Sequence, residues 1–182
     1  IMCQAITEPR DLDPFIDVAD GVVLGPGLGQ SDWGRGLMER LIDSALPIVL
    51  DADGLNLLAA RPRQRDNWVL TPHPGEIARL WARWFRRELP ADRTEQAQRL
   101  AEKCGAVVVL KGAGTVVTDG KKTYLNETGN PGMATGGTGD VLSGIIGGLI
   151  AQGLSGFDAS LLGVYLHGLA GDLAAETMTA RA

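Results

Sequence analysis

Asp140 closes the run Thr135-Gly-Gly-Thr-Gly-Asp140 and opens a segment, Val141 to Ile150, that is otherwise apolar except for Ser143 and glycine. Gly136, Gly137 and Gly139 have no Cβ, so amide N–H groups around Thr138 can approach a ligand closely. A helix beginning near Thr138 adds unpaired N–H donors and the positive end of its dipole, a combination that favours phosphate over a neutral ligand. Within that first turn Asp140 is stabilised as an anion and can act as a base toward a hydroxyl held beside the phosphate. The same letters also fit a plain reading: a tight glycine turn before a closely packed helix, with Asp140 compensating the dipole.

Other residues with chemical potential follow short apolar runs. Lys111 ends Val107-Val-Val-Leu110 and precedes Gly112-Ala-Gly-Thr115, where its ammonium either snorkels to solvent or meets a phosphate beside glycine-rich backbone. Gly25, Gly27 and Gly29 follow Val22-Val-Leu24 and permit close approach to a flat or phosphorylated ligand, or simply build a Gly-Pro turn. Asp51 and Asp53 follow Ile48-Val-Leu50; Asp53 is expected to cap a helix, and Asp51 to orient metal-bound water or the strand ends. His73, held between two prolines in Thr71-Pro-His-Pro-Gly-Glu76, is a candidate ligand contact, with Glu76 in the first turn of the following helix. His167 reads as a core or interface residue, and Trp81, Trp84 and Phe85 as a packing face of one helix.

The elements that must position these residues are legible as alternating patterns. Unalternating β-branched runs at Val22–Leu24, Ile48–Leu50, Val69–Leu70, Val107–Leu110 and Val116–Val117 suit strands buried on both faces of a parallel sheet. Between them the spacing predicts helices over Asp32–Ser44 capped by Ser31, around Leu55–Leu58, over Gly75–Phe85, and over Asp92–Cys104 with Asp92 and Glu95 at capping-box spacing. Asp119-Gly120 predicts a tight hairpin and one antiparallel pair, and two helices, Thr138–Gln152 and Phe157–Met178, close the chain. Strand-helix alternation of this kind marks a layered α/β fold, whose ligands bind beyond the carboxyl ends of the strands.

Composition narrows the function. With 182 residues and 45% hydrophobic side chains the chain fills one core, so a single domain over residues 1–182 is expected. A net charge of −5 supplies no basic field, which argues against nucleic acid and anionic membranes as partners, and any phosphate must be held by local N–H groups and one or two basic side chains. Cys3 and Cys104 have neither metal-site nor disulfide spacing, which fits a reducing, cytoplasmic setting, and no apolar run reaches membrane-spanning length. No metal-ligand set is expected in the protein itself.

In this order, Gly25-Pro-Gly-Leu-Gly29, Leu50-Asp-Ala-Asp-Gly-Leu-Asn56, Leu70-Thr-Pro-His-Pro-Gly-Glu76, Leu110-Lys-Gly-Ala-Gly-Thr115 and Gly129-Asn-Pro-Gly-Met-Ala-Thr-Gly-Gly-Thr-Gly-Asp140 resemble the ADP/ATP-dependent NAD(P)H-hydrate dehydratase family of the ribokinase-like superfamily. The resemblance implies a ribokinase-like α/β/α sandwich with a mostly parallel central sheet, truncated at both ends relative to the family, whose upstream part adds substrate-contacting sequence and at least one more strand. It implies ADP- or ATP-dependent dehydration of the 6S hydrate of NADH or NADPH, with Mg2+ bridging the phosphates, and a homo-oligomer. By resemblance, Lys111, Gly112, Ala113, Gly114, Thr115, Gly137, Thr138 and Gly139 meet the adenine nucleotide, and Gly27, Gly29, His73 and Asp140 meet the substrate. Asp140 is the catalytic base in this view. The competing expectations are a small-molecule kinase of the same superfamily and a nucleotide-sensing module without catalysis.

Overall fold

The computed structural model describes residues 3–177. Four parallel strands, β1 (Val22–Leu24), β2 (Ile48–Leu50), β3 (Trp68–Leu70) and β4 (Val107–Leu110), lie side by side in chain order. β5 (Thr115–Thr118) and β6 (Thr123–Asn126) extend this sheet as an antiparallel hairpin. Its turn falls where expected, between Thr118 and Thr123, and is closed by the Asp119 carboxylate, which accepts from the N–H groups of Lys121 and Lys122.

Connections between adjacent parallel strands are right-handed as a rule, so a run of strands added in one direction places every connecting helix on one face. That face is covered by α2 (Asp32–Ile42), α3 (Ala52–Ala60), α4 (Pro74–Trp84) and α5 (Arg93–Cys104). Ile48, Leu50, Trp68, Leu70, Val108 and Leu110 pack there against Leu41, Leu58, Leu80 and Leu100. The alternate residues Val49, Val69, Val107, Val109 and Val117 face the opposite layer, where Leu142, Ile146 and Ile150 of α6 (Thr138–Ala151) and Val164 of α7 (Gly156–Thr177) cover them. Burial on both faces explains why the strand sequences do not alternate.

The helix starts expected from capping residues are present. Ser31 accepts from Gly34 N–H, Asp92 from Thr94 and Glu95 N–H, and Ser155 exchanges bonds with Asp158. Helix bounds differ from the expected ones by at most three residues, the largest shift being the start of α3 at Ala52, and the expected Met178 end of α7 lies outside the described residues. One segment was not anticipated: a 3-10 turn at Pro9–Leu12 leads into a single helical turn, α1 (Asp13–Ile16), which docks on α2 through an Arg40–Asp13 ion pair of 2.5 Å. Four-residue turns carry no periodicity, so the sequence gives no sign of it.

Candidate functional site

The loops that follow β1 to β4 meet the start of α6 at one end of the sheet, and a buried carboxylate joins them. Asp51 is 1% exposed. Its Oδ1 accepts from Lys111 Nζ at 2.6 Å and from Ala52 N–H at 2.9 Å, and its Oδ2 accepts from Ser143 Oγ at 2.7 Å. The Ser143 hydroxyl lies 3.4 Å from Thr71 Oγ1, which donates to the Leu50 carbonyl. Residues after β2, β3 and β4 are thereby tied to the second turn of α6. Burial pushes the Asp51 carboxyl up, but the Lys111 charge and hydrogen bonds from Lys111, Ser143 and Ala52 outweigh it and hold the group below the usual carboxylate range. Ala52 has φ of 45°, a left-handed conformation costly for a residue with a Cβ, and it is the non-glycine residue among those described that has a positive φ.

One expectation for this region is corrected. Asp51, not Asp53, caps α3, because its backbone is extended and its side chain meets the Ala52 N–H. Asp51 also pairs with Lys111 and so joins the ends of β2 and β4. Asp53 sits in the first turn of α3, where Gly29 N–H, Gln30 Nε2 and Asn56 Nδ2 donate to its carboxylate at 3.0, 3.0 and 3.2 Å. It therefore fixes the glycine loop onto α3. Gly27 and Gly29 have φ of +66° and +71° with open space where a side chain would stand, whereas a Cβ on Gly25 would fall 1.7 Å from the Asp51 carbonyl oxygen.

Lys111 neither snorkels to solvent nor stands apart. Its side chain is 19% exposed and directed at Asp51, and its own N–H donates to the Pro72 carbonyl at 2.9 Å, which seats the Pro72-His73 loop beside it. Gly139 completes the contact: a Cβ there would stand 3.1 Å from Lys111 Nζ and 3.8 Å from Asp51 Oδ2. Only a residue without a side chain lets the first turn of α6 rest on the ion pair undisturbed.

His73, expected as a ligand contact, has a structural task as well. Its Nδ1 accepts from Gly75 N–H at 2.9 Å and caps α4, so in the neutral ring the proton sits on Nε2. Glu76 accepts from His73 N–H at 2.8 Å and lies 3.5 Å from Nε2. The ring is turned onto its own helix and half exposed; it touches neither Lys111 nor Asp140.

Gly137, with φ of 90°, is the residue before α6, and around both Gly136 and Gly137 there is open space on the side where a Cβ would lie. Thr138 Oγ1 donates to the Met133 and Thr135 carbonyls, both at 2.8 Å, locking the turn beneath these amides. The loop before it is pinned to α7, since Asp172 accepts from Gly129 N–H at 2.8 Å and Asn130 Nδ2 at 3.1 Å. Asp140 is exposed in the first turn of α6, and its carboxylate has no hydrogen-bond partner among the described residues. His167, on α7, is half-buried; burial holds its imidazole below the ordinary range against an opposing contact with the Thr138 backbone. Among the described residues no three His, Cys, Asp or Glu side chains cluster as a metal site, and no helix is long and apolar enough to cross a membrane.

Ser143, Thr71 and Asp172 were not foreseen as parts of this site. Ser143 had a sequence signal, a hydroxyl on the buried side of an apolar helix three residues beyond Asp140.

A sequence model of the family described as NAD(P)H-hydrate dehydratase matches residues 1–182. The chain belongs to that family. It is 50% identical over 177 residues to the bifunctional NAD(P)H-hydrate repair enzyme of Coxiella burnetii, covering 97% of this chain and 36% of that protein. Among solved structures, a ribokinase-like superfamily protein of Enterococcus faecalis superposes with a TM-score of 0.82 at 31% identity, covering 94% of this chain and 61% of the other. The ADP/ATP-dependent NAD(P)H-hydrate dehydratase of Bacillus subtilis, co-crystallised with ATP and Mg2+, superposes with a TM-score of 0.76 at 32% identity over 92% of this chain and 62% of the other. The NAD(P)H-hydrate dehydratase fold is thus ribokinase-like, as expected. This chain spans about a third of the length of the first curated relatives it matches.

Proposed function

We propose that the protein carries out ADP- or ATP-dependent dehydration of the 6S hydrate of NADH or NADPH and so restores the normal cofactor. The observation that carries this reading is the meeting of Lys111 and Gly139 over Asp51, which sets a fixed cation and a glycine-lined helix start beside Asp140. The family match and the Bacillus subtilis relative crystallised with ATP and Mg2+ support it.

Hydroxide is a poor leaving group. In the proposed reaction Asp140 takes the proton of the substrate hydroxyl as its oxygen attacks the terminal phosphorus of the nucleotide, and the bond to the nucleotide's bridging oxygen breaks. The new phosphate ester then departs with the C–O electron pair while the neighbouring ring carbon loses a proton, which restores the double bond. N–H groups from Gly137 to Asp140 stabilise charge on the moving phosphoryl oxygens. The open space over Gly136 and Gly137 fits a phosphate group, and the glycine loops at Lys111–Thr115 and at Gly27 and Gly29 hold nucleotide and substrate on either side. Mg2+ fits as an ion carried by the phosphates and water, a role for which a cage of protein carboxylates is not needed. His73 contributes by stiffening its loop beside Lys111 as well as by lining the substrate side.

A homo-oligomer belongs to this reading and is supported by the exposed Leu162, Tyr165 and Leu166 on α7, and a cytoplasmic setting is supported by the unpaired Cys3 and Cys104. The test is to supply hydrated NADH with ADP to the full-length protein. Recovery of dihydronicotinamide absorbance with release of inorganic phosphate is expected. A phosphorylated product without recovered absorbance would assign a kinase, and nucleotide binding with neither product would assign a sensor.

A further inference from the structure

The segment Lys111–Gly114 joins β4 to β5, and its carbonyls are taken up from within the protein. Arg93, in the first turn of α5, donates from one terminal nitrogen to the carbonyls of Leu110 at 3.2 Å and Lys111 at 3.0 Å. The other terminal nitrogen donates to the carbonyls of Ala113 and of Gly114, the latter at 3.3 Å. The carbonyl left over, that of Gly112, accepts from Thr115 Oγ1 at 3.0 Å. All five carbonyls from Leu110 to Gly114 are therefore satisfied on the protein side. The amides are not: the N–H groups of Gly112, Ala113 and Gly114 have no acceptor among the described residues, and Gly112 and Ala113 are exposed. Gly112 and Gly114 reach this arrangement with φ of +140° and +63°, and a Cβ on Gly112 would stand 2.9 Å from the guanidinium.

A loop with inward carbonyls and outward amides is an electropositive concavity, suited to an acceptor-rich ligand. Its polarity depends on the planar fork of arginine, whose donors span several carbonyls at once; an ammonium is a point charge without that reach. We infer that Arg93 is a positioning residue for nucleotide binding, holding the amides of Gly112, Ala113 and Gly114 toward the acceptor atoms of the adenine nucleotide. This rests on the reading of Lys111–Thr115 as the nucleotide loop. Arg93 itself lies behind the loop and acts through the loop's conformation. Its hydrogen bonds go to the nucleotide loop and none to Asp140, so its loss weakens nucleotide capture more than the chemical step.

The experiment uses the full-length protein with Arg93→Ala and Arg93→Lys, steady-state kinetics with ADP and hydrated NADH, and calorimetric titration with ADP. Both variants are expected to raise KM for ADP roughly thirtyfold, with kcat within about threefold of the parent and KM for the hydrate unchanged. Added guanidinium ion restores ADP affinity to Arg93→Ala, an effect that general destabilisation would not produce. If Arg93→Ala fails to fold, Arg93→Lys gives the same KM split. An unchanged ADP affinity in a folded variant, a fall in kcat at constant KM, or a lack of guanidinium rescue would each overturn the role of Arg93. Absence of ADP binding by the parent protein would overturn instead the nucleotide reading beneath it, so the two failures are distinguishable.

Discussion

Lys111 Nζ lies 2.6 Å from Asp51 Oδ1, although sixty residues separate them in the chain. Both side chains are largely shielded from water, with side-chain exposures of 19% and 2%. Breaking a buried pair from one side strands the other charge, at a cost of about 3–5 kcal/mol, whereas removing both partners is far milder. Lys111→Met is therefore expected to destabilise the protein by about 3 kcal/mol or more, and the double variant Asp51→Asn with Lys111→Met to recover part of that loss. Urea denaturation of the parent, both single variants and the double variant checks this as a closed cycle; additive losses would show that the pair is not coupled.

The same carboxylate sets a pH dependence. Its pKa in the folded protein lies below the ordinary value, so its contribution to stability is complete above the unfolded-state pKa near ~4 and is lost as pH falls through the lower folded value. From about pH 5 downward the parent should lose stability more steeply than Asp51→Asn, the difference between them shrinking as pH falls through the lowered folded pKa. Parallel curves in thermal melts over this range would remove Asp51 as the source.

Glycines at the site divide into those that the fold requires and those that the ligand requires. At Gly25 a Cβ would collide with the Asp51 carbonyl and φ is +134°, so Gly25→Ala should cost roughly 3 kcal/mol or more or fail to fold. Gly136 has open space on its Cβ side, so Gly136→Ala should change stability by less than about 1 kcal/mol while raising KM for the nucleotide. Melting curves paired with kinetics separate the two; equal melting losses would contradict the division.

How much of this could be read in advance depended on whether the signal was local. Strands at Ile48–Leu50 and Val107–Leu110 are visible because burial on both faces demands unbroken apolar runs, and helices beginning after Ser31 and Asp92 are visible because capping is a contact between near neighbours. The glycine loops that follow the strands were legible for the same reason, while the order of the strands in the sheet was not. What was not legible were long-range choices. Asp51 and Asp53 are both carboxylates at a helix start, and only the fold decides that one meets Lys111 while the other meets Gly29. Arg93 in a helix first turn reads as a surface side chain, since the carbonyls it serves are seventeen to twenty-one residues away. That His73 caps its own helix was not legible either, because sequence does not show a ring folding back onto the Gly75 N–H.

The cysteines offer a check on packing. Cys104 is fully buried, and burial pushes its thiol up to about 12, against an exposed Cys3. Thiolate is the reactive form, so a thiol reagent at neutral pH should label Cys3 promptly and Cys104 only on unfolding. Prompt labelling of both in the native protein would contradict the packing of α5 on the sheet.

The most direct test of the whole is Asp140→Asn in the full-length protein, assayed with ADP and hydrated NADH alongside a nucleotide-binding titration. Asp140 is exposed and without a partner among the described residues, so the exchange should leave the fold and nucleotide affinity near those of the parent. With Asp140 as the base, turnover should fall by at least about a hundredfold while nucleotide still binds. Turnover that survives with nucleotide bound would contradict the assignment of Asp140 as the base at this site.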